Sequence, residues 1–345
     1  MTELTVVFIG IALLLYVLLG GADYGAGIIE IFTGSKGINT ISRAIAPVWE
    51  ANHIWIIVVI VILFNAFPEV YSTISLYLHI PIMLVLVGII FRGTAFTFRY
   101  YDPFEDRTHR VYSFVFKLFS LLTPLFLGVT LGAVIQGKLT TDITRSYYER
   151  FVAPWLTPFN FSLGIFIVVL FAFLASVYLS GEPGEKEIRE KFVRYSKILL
   201  LVLVLVGGGV FLVAELSGLR LLSKYFSSPV SIVSIILATV LLPALLISLK
   251  KGIWNLTRLV AGAQTAAILI GWFGFQLPEL VILDHAESLT LANSIAPPVT
   301  IRMLLLALFV GLAFVIPLLL YLFKVFKFST EKSSSSRRSQ APPDL

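Results

Sequence analysis

The sequence predicts an all-α integral membrane protein of about nine transmembrane helices. Three observations carry this. Only 13% of the 345 residues are charged while 58% are apolar, where a soluble domain has about 25% and about 45–50%; mean hydropathy is +0.94. So little charge cannot cover a water-facing surface, which excludes a soluble enzyme, a disordered chain and a free nucleic-acid binder. Apolar runs recur at the length of a membrane helix, about 18 residues or more. The alternation expected of a β-barrel is absent, leaving helices as the way to satisfy backbone groups in lipid.

The nine runs are Leu4–Ile31, Ile54–Phe67, Ile74–Phe98, Val111–Ile135, Phe159–Ser180, Ile198–Leu216, Pro229–Leu249, Leu259–Phe275 and Met303–Phe326. The second is short and spans only if residues 47–53 join it, which brings polar residues into its first turns. The first run lacks a basic leader region and a small-residue cleavage site, so it is expected to stay as a helix rather than act as a signal peptide. Eighteen of the 26 Lys and Arg fall in the loops after helices 1, 3, 5 and 7 and in the C-terminal tail, and six on the opposite side. By the positive-inside bias those segments are cytoplasmic and the N-terminus lies outside. An odd number of helices is required, in agreement with nine. The +6 net charge is thereby read as topology and calls for no nucleic-acid partner.

The expected organisation is two four-helix bundles plus one peripheral helix. Residues 1–137 make a first four-helix bundle with a polar cluster on its inner side. Residues 138–197 make a connecting loop, helix 5 and a charged cytoplasmic loop. Residues 198–328 hold helices 6–9, and 329–345, rich in Ser, Arg and Pro, is a disordered cytoplasmic tail. Gly207–Gly209 lies mid-span without the Lys-Ser/Thr of a phosphate loop, so close helix packing is the expected role.

A charge in the bilayer is costly, so each intramembrane ionisable group is a candidate. Asp23 and Glu30, seven residues apart, share a face at the end of helix 1. Glu50 and His53 share a face at the start of helix 2. Arg92 and Arg99 share one at the end of helix 3, with Arg92 about 10 Å deeper, and Lys117 lies two turns into helix 4. On the topology above all converge on the cytoplasmic half of the first four helices. Two readings stay open: ion pairs that fix packing, with Asp23 or Glu50 against Arg92, or a proton-conducting path. Lys117 and Glu30, the latter close to the interface, are expected to be structural. With no Cys, four His and three Met, in-membrane haem ligands are limited to His53, His79, Met83 and Met303. No two His stand on facing spans at matched depth, so a multi-haem protein is not expected.

The stretches LGGADYGAG (19–27) and Ala46–Asn52 leading into Trp55 resemble subunit II of the cytochrome bd quinol oxidases. Phe67–Tyr71, Phe91–Gly93, Phe98–Arg99, Gly128, Gly132, Gln136–Gly137, Trp155–Phe159, Glu287–Thr290 and Ala292–Asn293 follow in the same order, over nearly the whole chain. The resemblance implies a non-haem subunit of a complex that reduces O₂ to water with electrons from membrane quinol, in the plasma membrane of a prokaryote. The haem-bearing partner, subunit I, would carry two b-type haems and one d-type haem; no cofactor is expected on this chain. Subunit II would support assembly and cytoplasmic proton delivery. Carried onto this sequence, Glu50 is the main proton-path carboxylate, one methylene longer than the family's usual Asp. Asp23 is a second relay or structural acid, matching the second of two family aspartates; Gly20 replaces the first. Ala51 stands for the usual Gly, and His53, an adjunct, for Gln or Glu. Arg92 is the counter-charge, and Trp49, Asn52 and Trp55 pack the path and its contact with subunit I. Left open are a quinone or lipid in a groove of helices 5–9 and an added small single-helix subunit. The alternatives are a proton-coupled secondary transporter, for which the only internal likeness is RAIAPVW (43–49) against NSIAPPV (293–299), and a purely structural assembly subunit.

Overall fold

The computed structural model describes residues 1–47, 49–102, 107–182 and 185–339. Among the described residues nine helices are long and apolar enough to cross a membrane. In chain order α1 is Thr2–Ile31, with a π-helical turn at Tyr16–Gly20; the short α2 is Ser35–Ile45; and α3 is Trp49–Ala66, broken at His53. Next come α4 (Pro68–Tyr77), α5 (His79–Tyr101), α6 (Arg107–Ile135), α7 (Tyr147–Phe151) and α8 (Pro158–Ser180). The chain continues with α9 (Lys186–Leu216), α10 (Leu221–Ser227), α11 (Pro229–Lys251) and α12 (Trp254–Gln276). A two-stranded antiparallel pair, β1 (Glu279–Val281) with β2 (Leu289–Thr290), precedes α13 (Pro298–Ser339).

Helices α1, α3, α5 and α6 form one bundle; α8, α9, α11 and α12 form the other, and α13 lies outside both against α3 and α1. The seam runs along α8, which packs on α1 and α6 as well as on α9 and α12. Small residues set its closeness. A Cβ on Gly25 would collide with the Phe171 carbonyl of α8, and one on Gly128 would sit 2.6 Å from the Gly164 Cα. Helix α8 starts sharply because the Thr157 hydroxyl accepts the Asn160 N–H and Pro158 occupies the first turn,.

Several elements depart from the sequence reading. The charged stretch 185–197, expected as a loop, is mostly the start of α9. Ion pairs at i,i+4, Glu187–Lys191 at 3.0 Å and Lys186–Glu190 at 3.9 Å, accompany buried Ile188 and Phe192 on one face, so the segment is an amphipathic extension beyond the bilayer. The third run starts later than Ile74: the backbone breaks at Leu78, and Pro81 falls in the first turn of α5, where its missing N–H costs nothing,. Gly208 and Gly209 meet nothing where a Cβ would stand, and Gly207 only the Phe166 ring at 3.3 Å; the close packing expected there occurs at Gly25 and Gly128 instead. The α13 backbone stays helical to Ser339, through most of the segment read as a disordered tail; residues 340–345 lie outside the described residues.

Candidate functional site

The second half of α1, Gly21–Ile31, is buried almost throughout. Its glycines admit neighbours to the backbone: Gly21 faces the Phe171 ring and Gly27 meets Ser120 of α6. The π turn ahead of it, Tyr16–Gly20, inserts one residue per turn and swings the following face. As a result Asp23 points inward and is 5% exposed. Its Oδ2 accepts from Asn52 Nδ2 at 2.5 Å, and Asn52 also reaches the Leu19 carbonyl at 3.5 Å.

Arg92 of α5 is 1% exposed. Its Nη2 donates to the Asp23 main-chain carbonyl at 2.8 Å and its Nε to Ser120 Oγ at 3.1 Å. The guanidinium lies 4.6 Å from the centre of the Tyr24 ring and 5.1 Å from that of Phe116. A carbonyl dipole, a hydroxyl and two ring faces therefore surround this buried cation, and its hydrogen bond to Asp23 is to the backbone rather than to the carboxylate.

The start of α3 divides its polar residues. Trp49–Asn52 is a single helical turn, followed by His53 and the helix Ile54–Ala66. Asn52 is buried, and so is Trp55, whereas Glu50 is exposed on the surface of the chain. Glu50 and His53, expected to share a face, differ in their surroundings: His53 Nδ1 is sealed inside, with its ring 5.9 Å from Tyr24 and 6.4 Å from Tyr16. Trp49 packs edge-on against Phe96, 5.6 Å between ring centres.

Among the described residues, the tightest ion pair within the helices involves a residue assigned to the interface. Glu30 is fully buried; Arg99 Nη1 lies 2.6 Å from its Oε1 and Lys117 Nζ 3.7 Å. Arg99 also faces Ser42 Oγ at 3.4 Å and the Phe116 ring at 4.5 Å. The matched seven-residue spacings, Asp23/Glu30 on α1 and Arg92/Arg99 on α5, thus make two rungs bridged across α6. The tyrosines of the π turn region, Tyr16 and Tyr24, carried no sequence signal of their own, because aromatic residues in apolar runs are ordinary core.

Three of the four candidate haem ligands stand apart from the buried polar cluster. His79 Nδ1 sits 2.8 Å from the Leu76 carbonyl with its ring against Phe151. Met83 and Met303 point away from the protein, 53% and 64% exposed. No cluster of three or more His, Cys, Asp or Glu able to hold a metal occurs among the described residues.

The comparisons with known proteins agree with this architecture. The family described as cytochrome bd terminal oxidase subunit II matches residues 1–326. The cytochrome bd ubiquinol oxidase subunit 2 of Bacillus subtilis (strain 168) is 25% identical over 328 residues, 93% of each chain. The cytochrome bd-I ubiquinol oxidase subunit 2 of Escherichia coli (strain K12) is 26% identical over 215 residues, 61% of this chain and 56% of that one, so the match spans little more than half the length of that relative. In the structure of bd oxidase from Geobacillus thermodenitrificans one chain shares the fold with a TM-score of 0.73 at 16% identity, over 95% of this chain and 98% of that one. With nine apolar helices among the described residues and a family match over nearly its whole length, the chain belongs to the cytochrome bd terminal oxidase subunit II family.

Proposed function

We propose that the chain is the haem-free subunit II of a quinol:O₂ oxidoreductase, joined to a haem-bearing subunit I. In this reading it supports assembly and carries protons from the cytoplasm toward the oxygen-reducing centre. The observation that carries the reading is Asp23: a carboxylate sealed in the bundle, held by a neutral amide rather than by an ion pair, with an imidazole on the adjoining turn. A carboxylate bonded to an amide can take up and release a proton without breaking a charge pair. Glu50, exposed on this chain, exchanges protons at the contact with subunit I. Asp23 and His53 relay them inside, Arg92 supplies fixed positive charge, and Trp49 and Trp55 pack the walls. Any haem is held by the partner, which takes electrons from membrane quinol. The N-terminus lies outside and the cytoplasmic half of the first bundle is the proton-entry side, as the Lys/Arg distribution suggests.

The test is Glu50→Ala in the purified complex. O₂ reduction or charge separation should slow while the haem spectrum stays intact; unchanged turnover with an unchanged spectrum sinks the role of Glu50. A purely structural reading is favoured by the Glu30–Arg99 pair, which locks α1 to α5. Loss of haem from the complex in every conservative variant of Glu50 and Asp23 would support it over the proton path.

A further inference from the structure

Buried polar atoms are as a rule hydrogen-bonded, and each exception calls for a cause. Tyr16 Oη, Tyr24 Oη and His53 Nδ1 are such exceptions: all three are sealed from the surface and none has a hydrogen-bond partner of proper geometry within the chain. They stand in one shell. The His53 ring is 6.4 Å from the Tyr16 ring and 5.9 Å, nearly perpendicular, from the Tyr24 ring. The two phenol hydroxyls approach each other closely enough to interact as a hydrogen-bonding pair, though without the geometry of a proper bond, and both lie within electrostatic reach of Asp23 and Arg92. Docking of another subunit cannot complete them, because the atoms are already enclosed by this chain.

The backbone makes room at this place. The π turn Tyr16–Gly20 widens α1,. Gly20 stands where a side chain would meet the Tyr16 ring at 3.0 Å and the Asn52 carbonyl oxygen at 3.8 Å. Two hydroxyls that each donate and accept, and one imidazole nitrogen, are satisfied together by a molecule with two donors and two acceptors. Water is that molecule, and a polar site with two to four partners is where buried water is retained.

We propose that Tyr16, Tyr24 and His53 enclose an ordered internal water beside the Asp23–Asn52 pair, and that this water is the link between His53 and Asp23. The link rests on the proton-path reading; the water site itself does not. A proton accepted by the water from one side is matched by one released to the other, so no charge is stored there. The phenols orient the water, and the Arg92 guanidinium over the Tyr24 face disfavours a resident hydronium, so the proton is handed on rather than held.

The experiment uses the intact complex. High-resolution cryo-EM of the wild type should show density about 2.7–3.1 Å from the three atoms. In the Tyr16→Phe/Tyr24→Phe variant that density should disappear. Proton uptake during oxidation of the reduced enzyme by O₂ should slow at least about tenfold, less than the roughly 10²–10⁴ of deleting an acid–base group, with the haem spectrum unchanged. A dry shell in which the two hydroxyls bond directly to each other overturns the site. Water lost from the variant without any change in proton uptake overturns the link. Should Glu50→Ala leave uptake untouched while the water is seen in wild type and lost in the variant, the site stands and the proton-path reading falls. If the double variant fails to assemble, wild-type density still decides the site, and Tyr16→Phe alone decides the link.

Discussion

Glu30 offers the largest structural effect, and its size follows from the surroundings. Leucine at position 30 removes the carboxylate opposite Arg99 and leaves a guanidinium whose side chain is 4% exposed. Ser42 Oγ at 3.4 Å and the Phe116 face at 4.5 Å remain, too little to replace an ion pair at 2.6 Å. Breaking one side of a buried pair costs about 3–5 kcal/mol. Arg99→Leu should cost less, about 3 kcal/mol, because Lys117, at 3.7 Å and 28% exposed, can close on the carboxylate. Lys117→Ala alone should stay under about 1 kcal/mol, as half-exposed pairs do. Replacing both Glu30 and Arg99 by leucine removes both buried charges and should cost about 1–2 kcal/mol, well below the sum of the single losses, since apolar replacement of a buried pair is often close to neutral. The coupling energy is then at least about 4 kcal/mol. Unfolding of the purified complex in mixed micelles, followed by tryptophan fluorescence, measures all four species. Losses that add to within about 0.5 kcal/mol would refute the claim that Glu30 and Arg99 form one buried unit.

The remaining predictions concern packing, the proposed relay and the segment before α8. Gly25→Ala should separate α1 from α8 and lower the thermal midpoint of the complex, whereas Gly208→Ala, with open space at its Cβ, should be neutral or gain up to about 1 kcal/mol from helix propensity; equal effects in a melting assay would contradict the seam. Asn52→Leu leaves Asp23 without its amide partner and should slow proton uptake with haem content intact; an unaltered rate would remove the pair from the path. In the loop before α8, hydrogen bonds from the Thr144 side chain and backbone hold Asp142 below the usual carboxylate range, and those from Ser146 do the same for Glu149. A depressed folded value means that their contribution is complete above the ordinary carboxylate pKa and is lost as pH falls through the lowered value. Hydrogen exchange of amides 144–151 should therefore stay slow through the range where free carboxylates titrate and accelerate only at lower pH; acceleration already at the ordinary carboxylate pKa would show that the cap does not hold these protons off.

The spanning helices were legible because lipid imposes a length on them, and nothing else in the sequence reaches that length. The shorter elements were not, although some left a mark. Helix α2 spaces Ile38, Ile41 and Ile45 by three and four residues and buries Ile41 and Ile45 while Arg43 stays exposed; this is a short amphipathic helix, hidden in a segment read as loop because it is too short and polar to cross. Ser146 and Glu149 form a capping box at the S-x-x-E spacing. The pair β1–β2 has strands of three and two residues; its order comes from tertiary contacts such as Ile282 N–H to the Val134 carbonyl at 3.1 Å, which no local pattern encodes.

For the site, the sequence supplied depth and the fold supplied burial, and the two are different quantities. Depth along the membrane normal follows from position in a helix. It placed Glu30 near the interface and Glu50 in the first turns of its span, which made Glu50 the stronger candidate. Burial follows from which helix lies over a residue. Gly27 lets Ser120 of α6 close over the end of α1, so Glu30 is sealed although it is shallow. Glu50 stands on a one-turn helix and is exposed on this chain. An exposed carboxylate acts in a proton path only when another protein surface covers it. Under the proposed assignment Glu50 is therefore a group completed by subunit I, while Asp23, Asn52, His53 and the two tyrosines are complete within subunit II. Glu50 variants should consequently respond to changes in the facing surface of subunit I, and Asp23 variants should not; equal sensitivity of both, read as proton-uptake rates across a panel of partner substitutions, would contradict that division.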